Sequence, residues 1–260
     1  MNEASPDNPD LEEVCNYLNA LNYTWEQMDY KKGLPLSIRL LKDSHRLLMN
    51  GVRGANKSPG DLRKTPNWIG SHKPQTAVFV PPPPENVQSL LDDLEGFIHS
   101  ESSLHPLLKI SMAHVQFETI HPFLDGNGRV GRLLIALMMK EYGYLNSPLL
   151  YLSLFFKKHK NTYYDLLNKV RTNSSWSEWN EFFLDGVFEV SENVVATAKA
   201  LNEKIVQDRS KLLSASGTTV NAIRVFELLP TSPIITPTEI IKKLSLSMPP
   251  VSKALSVLEQ

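Results

Sequence analysis

Apolar residues recur at intervals of three and four through most of the chain, a spacing that lines them along one face of a helix. Leu11, Val14, Leu18 and Leu21 predict a first helix over 11–21. Ile38, Leu41, His45, Leu48 and Met49 predict a second, entered through Leu34-Pro-Leu-Ser37 and closed by Gly51 and Gly54. Val87, Leu90, Leu91, Leu94 and Phe97 give an apolar face to a helix over 85–98, and further helices are expected near 105–120, 128–142, 148–156, 160–172 and from Ser177 to about Leu213. From Gly54 to Pro84 the pattern stops. There Ser58-Pro-Gly-Asp-Leu-Arg63 followed by Asn67-Trp-Ile-Gly70 predicts a turn between two short extended pieces, and Pro81 to Pro84 reads as a stiff extended spacer. Strand and helix do not alternate, which excludes a parallel sheet and leaves an all-α domain carrying one hairpin.

The division along the chain follows the same reading. Residues 1–10 are polar and proline-punctuated, as in a disordered or cut N-terminus; 11–213 form the helical domain; Ser214-Ala-Ser-Gly217 marks a boundary; and 218–260 form a small second domain. Within it, helices are expected at 221–229, at 237–244 with Thr236 as cap, and at 249–258 after the Ser245-Leu-Ser247 turn. This spacing resembles a helix-turn-helix of the winged type that ends where a wing would begin. Its recognition helix, 249–258, offers one cation, Lys253, so dimer or domain packing is read ahead of DNA contact.

Composition narrows the partners less than it narrows the compartment. A length of 260 residues supplies a real core, and a net charge of −1 gives no global attraction to nucleic acid or acidic membrane. Cys15 is the single cysteine, and there is neither a leader nor an apolar run long enough to span a bilayer, so a cytoplasmic protein is expected.

The chemistry concentrates in His121-Pro-Phe-Leu-Asp-Gly-Asn-Gly-Arg-Val-Gly-Arg132. The apolar run Leu133 to Met139 follows, which places the glycines at a helix N-terminus, where free N–H groups and the helix dipole favour an anion. Gly126-Asn-Gly-Arg-Val-Gly131 also fits the dinucleotide fingerprint, but the residues ahead of it have helical spacing where that fingerprint needs a strand. A phosphate cradle is the better reading. Gly126 and Gly128 let the backbone approach an anion, Asn127 adds a side-chain donor, and Arg129 and Arg132 lie on one side of the first turn to hold successive phosphates. Asp125 is placed to hold Mg²⁺, and His121 to take a proton from a hydroxyl nucleophile. His45, His72, His105 and His114 are read as structural.

The pattern His-Pro-Phe-x-Asp/Glu-Gly-Asn-Gly-Arg-x-x-Arg is the signature of the Fic/Doc family, and 121–132 matches it at every defined position. The resemblance extends to Gly33-Leu-Pro-Leu-Ser37, Gly51-Val-Arg-Gly54, Pro59-Gly-Asp-Leu-Arg63, Asn67-Trp-Ile-Gly70, Phe79-Val-Pro-Pro-Pro-Pro84, Ala113 to Ile120 and Tyr163-Tyr164, covering roughly Leu11 to Leu201. It implies a Fic-type helical domain with a short β-hairpin flap, and transfer of AMP from ATP to a Ser, Thr or Tyr hydroxyl of a protein, including self-modification. His121 is then the base, Asp125 the Mg²⁺ ligand, and Gly126, Asn127 and Gly128 the anion hole. Arg129 and Arg132 clamp phosphates, Phe123 supports the nucleotide loop, and Pro59, Gly60, Asp61, Leu62 and Arg63 position the target.

Two departures bear on this. His159-Lys160 stands where the family shows Asn-Arg, so His159 takes the adenine-side position and nucleobase choice opens; separately, divergent relatives in the family imply transfer of UMP, phosphocholine or phosphate as the alternative. The family's inhibitory Ser/Thr-x-x-x-Glu-Gly/Asn is not met: Glu95-Gly96 and Glu192-Asn193 have the ending, but Leu91 and Phe188 occupy the Ser/Thr position. The resemblance places that helix ahead of Met1 or on another chain, and implies an unrestrained enzyme with a hydroxyl-bearing protein as partner and a homodimer or an inhibitory helix in trans as further ones. From another class, a nucleotide-sensing DNA-binding regulator is the alternative.

Overall fold

The fold was obtained as a computed structural model and describes residues 9–29, 33–52, 54–71, 73–148 and 150–259. The expectations for 1–8 and for His72 lie outside these residues. Eleven α-helices are present among them: α1 Pro9–Gln27, α2 Ile38–Leu48, α3 Val87–His99, α4 Pro106–Ile120, α5 Asn127–Glu141, α6 Leu152–Lys158, α7 Lys160–Asn173, α8 Trp176–Ser214, α9 Val220–Phe226, α10 Pro237–Leu244 and α11 Met248–Leu258. Among the described residues there is no strand, and no helix is long and apolar enough to cross a membrane.

The all-α expectation holds, whereas the hairpin does not. The extended pieces meet in a single antiparallel bridge, Ile69 to Phe79, with Ile69 N–H donating to Phe79 O and Val78 N–H to Ile69 O, each at 2.9 Å. Pro59 to Arg63 is a turn, closed by Asp61 N–H on Ser58 O at 3.0 Å. With five prolines between Pro74 and Pro84, the return side lacks the donors that a ladder needs.

α4 and α5 form the centre of the first compact unit, Met1–Ser191, with Ile110, Ala113, Phe117 and Ile120 facing Val130, Leu133, Leu134 and Leu137 in the core. α1 packs on α2 and α5, and α3 on α4. α1 turns a different face inward from the one its leucines suggest: Tyr17, Ala20, Leu21 and Thr24 are buried, while Leu11, Val14 and Leu18 are exposed. The small Ala20 lets the helices close together, and Thr24 Oγ1 and Ser44 Oγ share a buried hydrogen bond across that contact. α2 begins where Ser37 caps Leu40 N–H and Glu95 Oε2 accepts from Ile38 N–H at 2.7 Å. Glu95, one of the two near-matches to the inhibitory motif, is therefore a helix cap. α6 starts at Leu152, later than the expected 148.

The second unit, Glu192–Gln260, gathers Leu212 of α8 with Ala222, Val225, Phe226, Ile240, Val251 and Ala254. The division falls inside α8, ahead of the Ser214–Gly217 cluster, because Ile205 and Leu212 already belong to this cluster of apolar side chains. α10 opens with a full capping box between Thr236 and Glu239.

Candidate active site

α4 ends at His121, which caps it in the left-handed conformation at φ 50° and precedes Pro122. For a non-glycine residue that conformation costs about 1–2 kcal/mol, so something must hold it. Arg63 does. Its Nε donates to His121 O at 2.9 Å and its Nη2 to Ile120 O at 3.2 Å and Pro82 O at 2.5 Å, while its backbone N–H donates to Pro122 O at 2.9 Å. The guanidinium is 2 % exposed and lies at the negative end of the α4 dipole. Arg63 was grouped with the target-positioning residues in the sequence; its side chain is instead a buried clamp on the turn that carries His121. Arg171 of α7 adds a second clamp, donating to Glu118 O at 3.0 Å and Thr119 Oγ1 at 3.2 Å while its guanidinium lies 4.0 Å above the Phe79 ring.

The His121 imidazole is largely buried. Burial pushes its pKa down to about 4; the Glu118 backbone opposes this, the cations Arg171 and Arg63 reinforce it, and Asp125 opposes it more weakly. It is therefore neutral at pH 7, as a proton acceptor must be. Its Nδ1 lies 4.0 Å from Glu118 Oε2 and makes no hydrogen bond among the described residues. Glu118 is itself buried, with its carboxyl pKa raised by desolvation and partly restored by Arg132 and Arg171. A Cβ on Gly131 would stand 2.4 Å from Glu118 Oε1, so the glycine is what admits this carboxyl behind the loop.

After Pro122 the loop is held by Asn127, whose Oδ1 accepts from Phe123 N–H and whose Nδ2 donates to Phe123 O, both at 2.8 Å. The expectation that this carboxamide faces an anion is thus corrected: it closes the loop, and what remains for an anion is backbone. Asn127 and Gly128 open the first turn of α5, whose leading N–H groups have no acceptor within the helix. Phe123, expected among the nucleotide-loop residues as a support, sits in the core: it is buried and stacks on His45 with centroids 3.9 Å apart and planes 10° from parallel.

The two arginines do not share one environment. Arg129 turns to α1, with Nη1 at 3.3 Å from Glu13 Oε2 and Nη2 at 3.2 Å from Met49 Sδ. The acid that meets Arg129 thus comes from another helix, far away in the sequence. Arg132 has no ion pair among the described residues. Asp125 Oδ1 accepts from Gly126 N–H at 2.6 Å, and its Oδ2 points to where Gly54 has no side chain, 2.8 Å from the place a Cβ would take. Among the described residues no three His, Cys, Asp or Glu converge on a metal position. A full protein cage is therefore not what this site offers. A single carboxylate fits a magnesium ion that draws its remaining ligands from phosphate and water.

His159 sits between α6 and α7, with its ring 4.6 Å from Phe155 and its Nε2 buried and unpartnered. His114, read as structural, is: its Nδ1 bonds Gly131 O and its Nε2 meets Tyr163 OH, each at 3.0 Å, and burial lowers its pKa to about 3. His45 is also buried but joins two parts of the site, a role its place in the apolar stripe of α2 conceals. The outlying signal was a polar residue at a core position, between Leu41 and Leu48.

Residues 35–139 match the Fic/DOC family. The chain is 32% identical over 134 residues to the protein adenylyltransferase Fic of Culex quinquefasciatus, covering 51% of this chain and 24% of that protein. It is 34% identical over 113 residues to the protein of the same name from Drosophila willistoni, covering 43% and 21%. The chain thus spans about a quarter of the length of these curated relatives. In fold it is similar to a Fic family protein from Desulfovibrio desulfuricans G20, with TM-score 0.62 at 23% identity over 95% of this chain and 66% of that one. It is similar also to Fic-1 of C. elegans, with TM-score 0.59 at 22% identity over 77% and 56%. The helix-capping histidine, the loop braced by Asn127 and the first turn of α5 all fall inside the stretch that matches the Fic/DOC family.

Proposed function

We propose that the chain transfers the AMP moiety of ATP to a Ser, Thr or Tyr hydroxyl of a protein, itself included. The observation that carries this reading is a neutral imidazole at His121, its Nδ1 buried without a hydrogen-bond partner, beside a helix start whose leading N–H groups suit polyphosphate. His121 takes the hydroxyl proton as the oxygen bonds to the α-phosphorus; the bond from that phosphorus to the β-phosphate oxygen breaks, and pyrophosphate leaves. The N–H groups at the start of α5 and the Arg132 guanidinium face the charge that gathers on the leaving group. Asp125 is the residue that would hold Mg²⁺, which supplies charge neutralisation when bound.

The turn at Pro59–Arg63 serves as the flap. Arg63 N–H faces inward to Pro122 O, while Leu62 and Lys64 make no backbone hydrogen bond among the described residues, which leaves an edge for an extended target segment. Pairing through backbone tolerates many target sequences. Arg132, lacking an ion pair, can receive a carboxylate from an inhibitory helix supplied by another chain. The second unit is read as a winged-helix-like segment serving dimer formation or domain packing ahead of DNA contact, on the strength of the single cation Lys253 in α11. An exposed lone Cys15 accords with a reducing, cytoplasmic setting.

His159 in place of the family's asparagine favours a second reading, in which the nucleobase is not adenine and UMP is transferred. Incubating the chain with Mg²⁺ and ATP or UTP labelled at the α-phosphate separates the two. Label from ATP that is lost in His121→Ala supports AMP transfer; label from UTP alone supports the second reading.

A further inference from the structure

His45 lies in the last turn of α2, fully buried, and its two ring nitrogens reach opposite sides of the site. Gly60 N–H, in the turn, donates to Nδ1 at 2.8 Å. Nε2 is 3.0 Å from the carbonyl oxygen of Asp125. Since Nδ1 must accept, the ring proton is on Nε2 and donates to that carbonyl, so one neutral tautomer satisfies both contacts. Phe123 covers one face of the ring, and Gly126 lies against its edge, where a Cβ would stand 3.2 Å from Nε2. The imidazole is therefore fixed in its plane and in its rotation. It touches both the turn and the loop while belonging to neither.

We propose that His45 is a positioning residue that sets the separation between the Pro59–Arg63 turn and the Asp125 loop. Resting on the AMP-transfer reading, this gives the turn and the loop one shared reference. The turn presents the target hydroxyl, and the loop presents the phosphates. In-line attack needs the two at a fixed distance, and a misplacement of about 1 Å costs on the order of a hundredfold in rate. Arg63 anchors the far end of the turn to the His121 backbone, whereas Gly60, at its near end, is hydrogen-bonded to the loop through His45 among the described residues.

The two contacts can be broken one at a time. In His45→Asn, Oδ1 takes the place of Nδ1 and still accepts from Gly60, while nothing reaches Asp125. In His45→Gln, Nε2 still donates to Asp125, while nothing accepts from Gly60. Residue-resolved amide hydrogen exchange on the nucleotide-free chain reads the first contact, and the amides of α4 serve as the folding control. Gly60 exchange is expected to rise on the order of tenfold in His45→Gln and to stay near wild type in His45→Asn. Fluorescent N-methylanthraniloyl-ATP reads the second: the Mg²⁺ concentration for half-maximal binding rises several-fold in His45→Asn and stays near wild type in His45→Gln. Self-labelling from ATP falls on the order of a hundredfold in both. Unchanged Gly60 exchange in His45→Gln overturns the proposal, as does wild-type labelling in a variant whose Gly60 exchange has accelerated, or the same change in both contacts from either variant. If the wild-type chain itself does not label, the AMP-transfer reading falls while the exchange result still decides whether His45 holds the turn.

Discussion

Two irregular stretches meet at the site, His121 to Asp125 and Gly54 to Pro84, and they are held in place differently. The first is short, sits between two buried helices, and has its backbone bonded from several sides by Arg63, His45, Asn67 and Asn127. The second is long, carries a single bridge, and contributes its own anchors: Gly60 to His45, Arg63 to the His121 turn, Asn67 Nδ2 to Phe123 O at 3.1 Å. Each supplies what the other lacks. The loop is held because the longer segment gives it buried donors, and the anchored residues of that segment find carbonyl acceptors on the loop and α4. Position at this site is thus a property of buried polar side chains rather than of secondary structure.

The largest disturbance of this comparison leaves both stretches in place and removes only the chemistry. His121→Ala is expected to reduce self-labelling by on the order of a thousandfold with nucleotide binding retained, measured by labelling rate and by titration with a fluorescent nucleotide. Next comes the clamp. Arg63→Met keeps the volume but leaves the carbonyls of Ile120, His121 and Pro82 without their donor, for a loss of about 3 kcal/mol in denaturant unfolding together with lost labelling. Arg63→Lys should recover little of this, because one ammonium cannot reproduce the fork. Asn127→Ala, which opens the loop from its own side, should cost about 2 kcal/mol and should weaken triphosphate binding less than it slows transfer.

A smaller effect comes from pH. His114 has a folded pKa near 3 against an ordinary 6.5, because burial disfavours its cation. Between those values the unfolded chain binds the proton and the folded one does not, so stability is full above about 6.5 and declines as pH falls toward about 3. The melting temperature of His114→Gln should decline less over that interval than that of the wild type. The rate of transfer, by contrast, should show no inflection near pH 6.5, since His121 is already neutral well below it.

Much of this was legible in the residues and some was not. Helix boundaries followed apolar spacing closely for α4, α5 and α7, although α4 and α5 are buried on most sides. α1 was misread in its facing because Leu11, Val14 and Leu18 outrank Ala20 and Thr24 in hydrophobicity, although the smaller residues permit the closer approach to α2. The motif pointed to the correct loop, but residue type did not tell ligand from brace: Asn127 and Arg63 carry polar groups suited to either duty, and only the fold shows their donors already bonded to backbone. Glu13 lies more than a hundred residues from Arg129, and no local pattern could join them. His45 looked structural and is, yet what it structures is the site itself.

The central claim is that the neutral imidazole at His121 passes AMP to a hydroxyl across a braced phosphate loop. Intact-mass analysis of the 260-residue chain after incubation with ATP and Mg²⁺ tests it most directly. The account predicts a population heavier by one adenylyl group, absent in His121→Ala; an unmodified wild-type chain, or an increment of a single phosphoryl group, would contradict it.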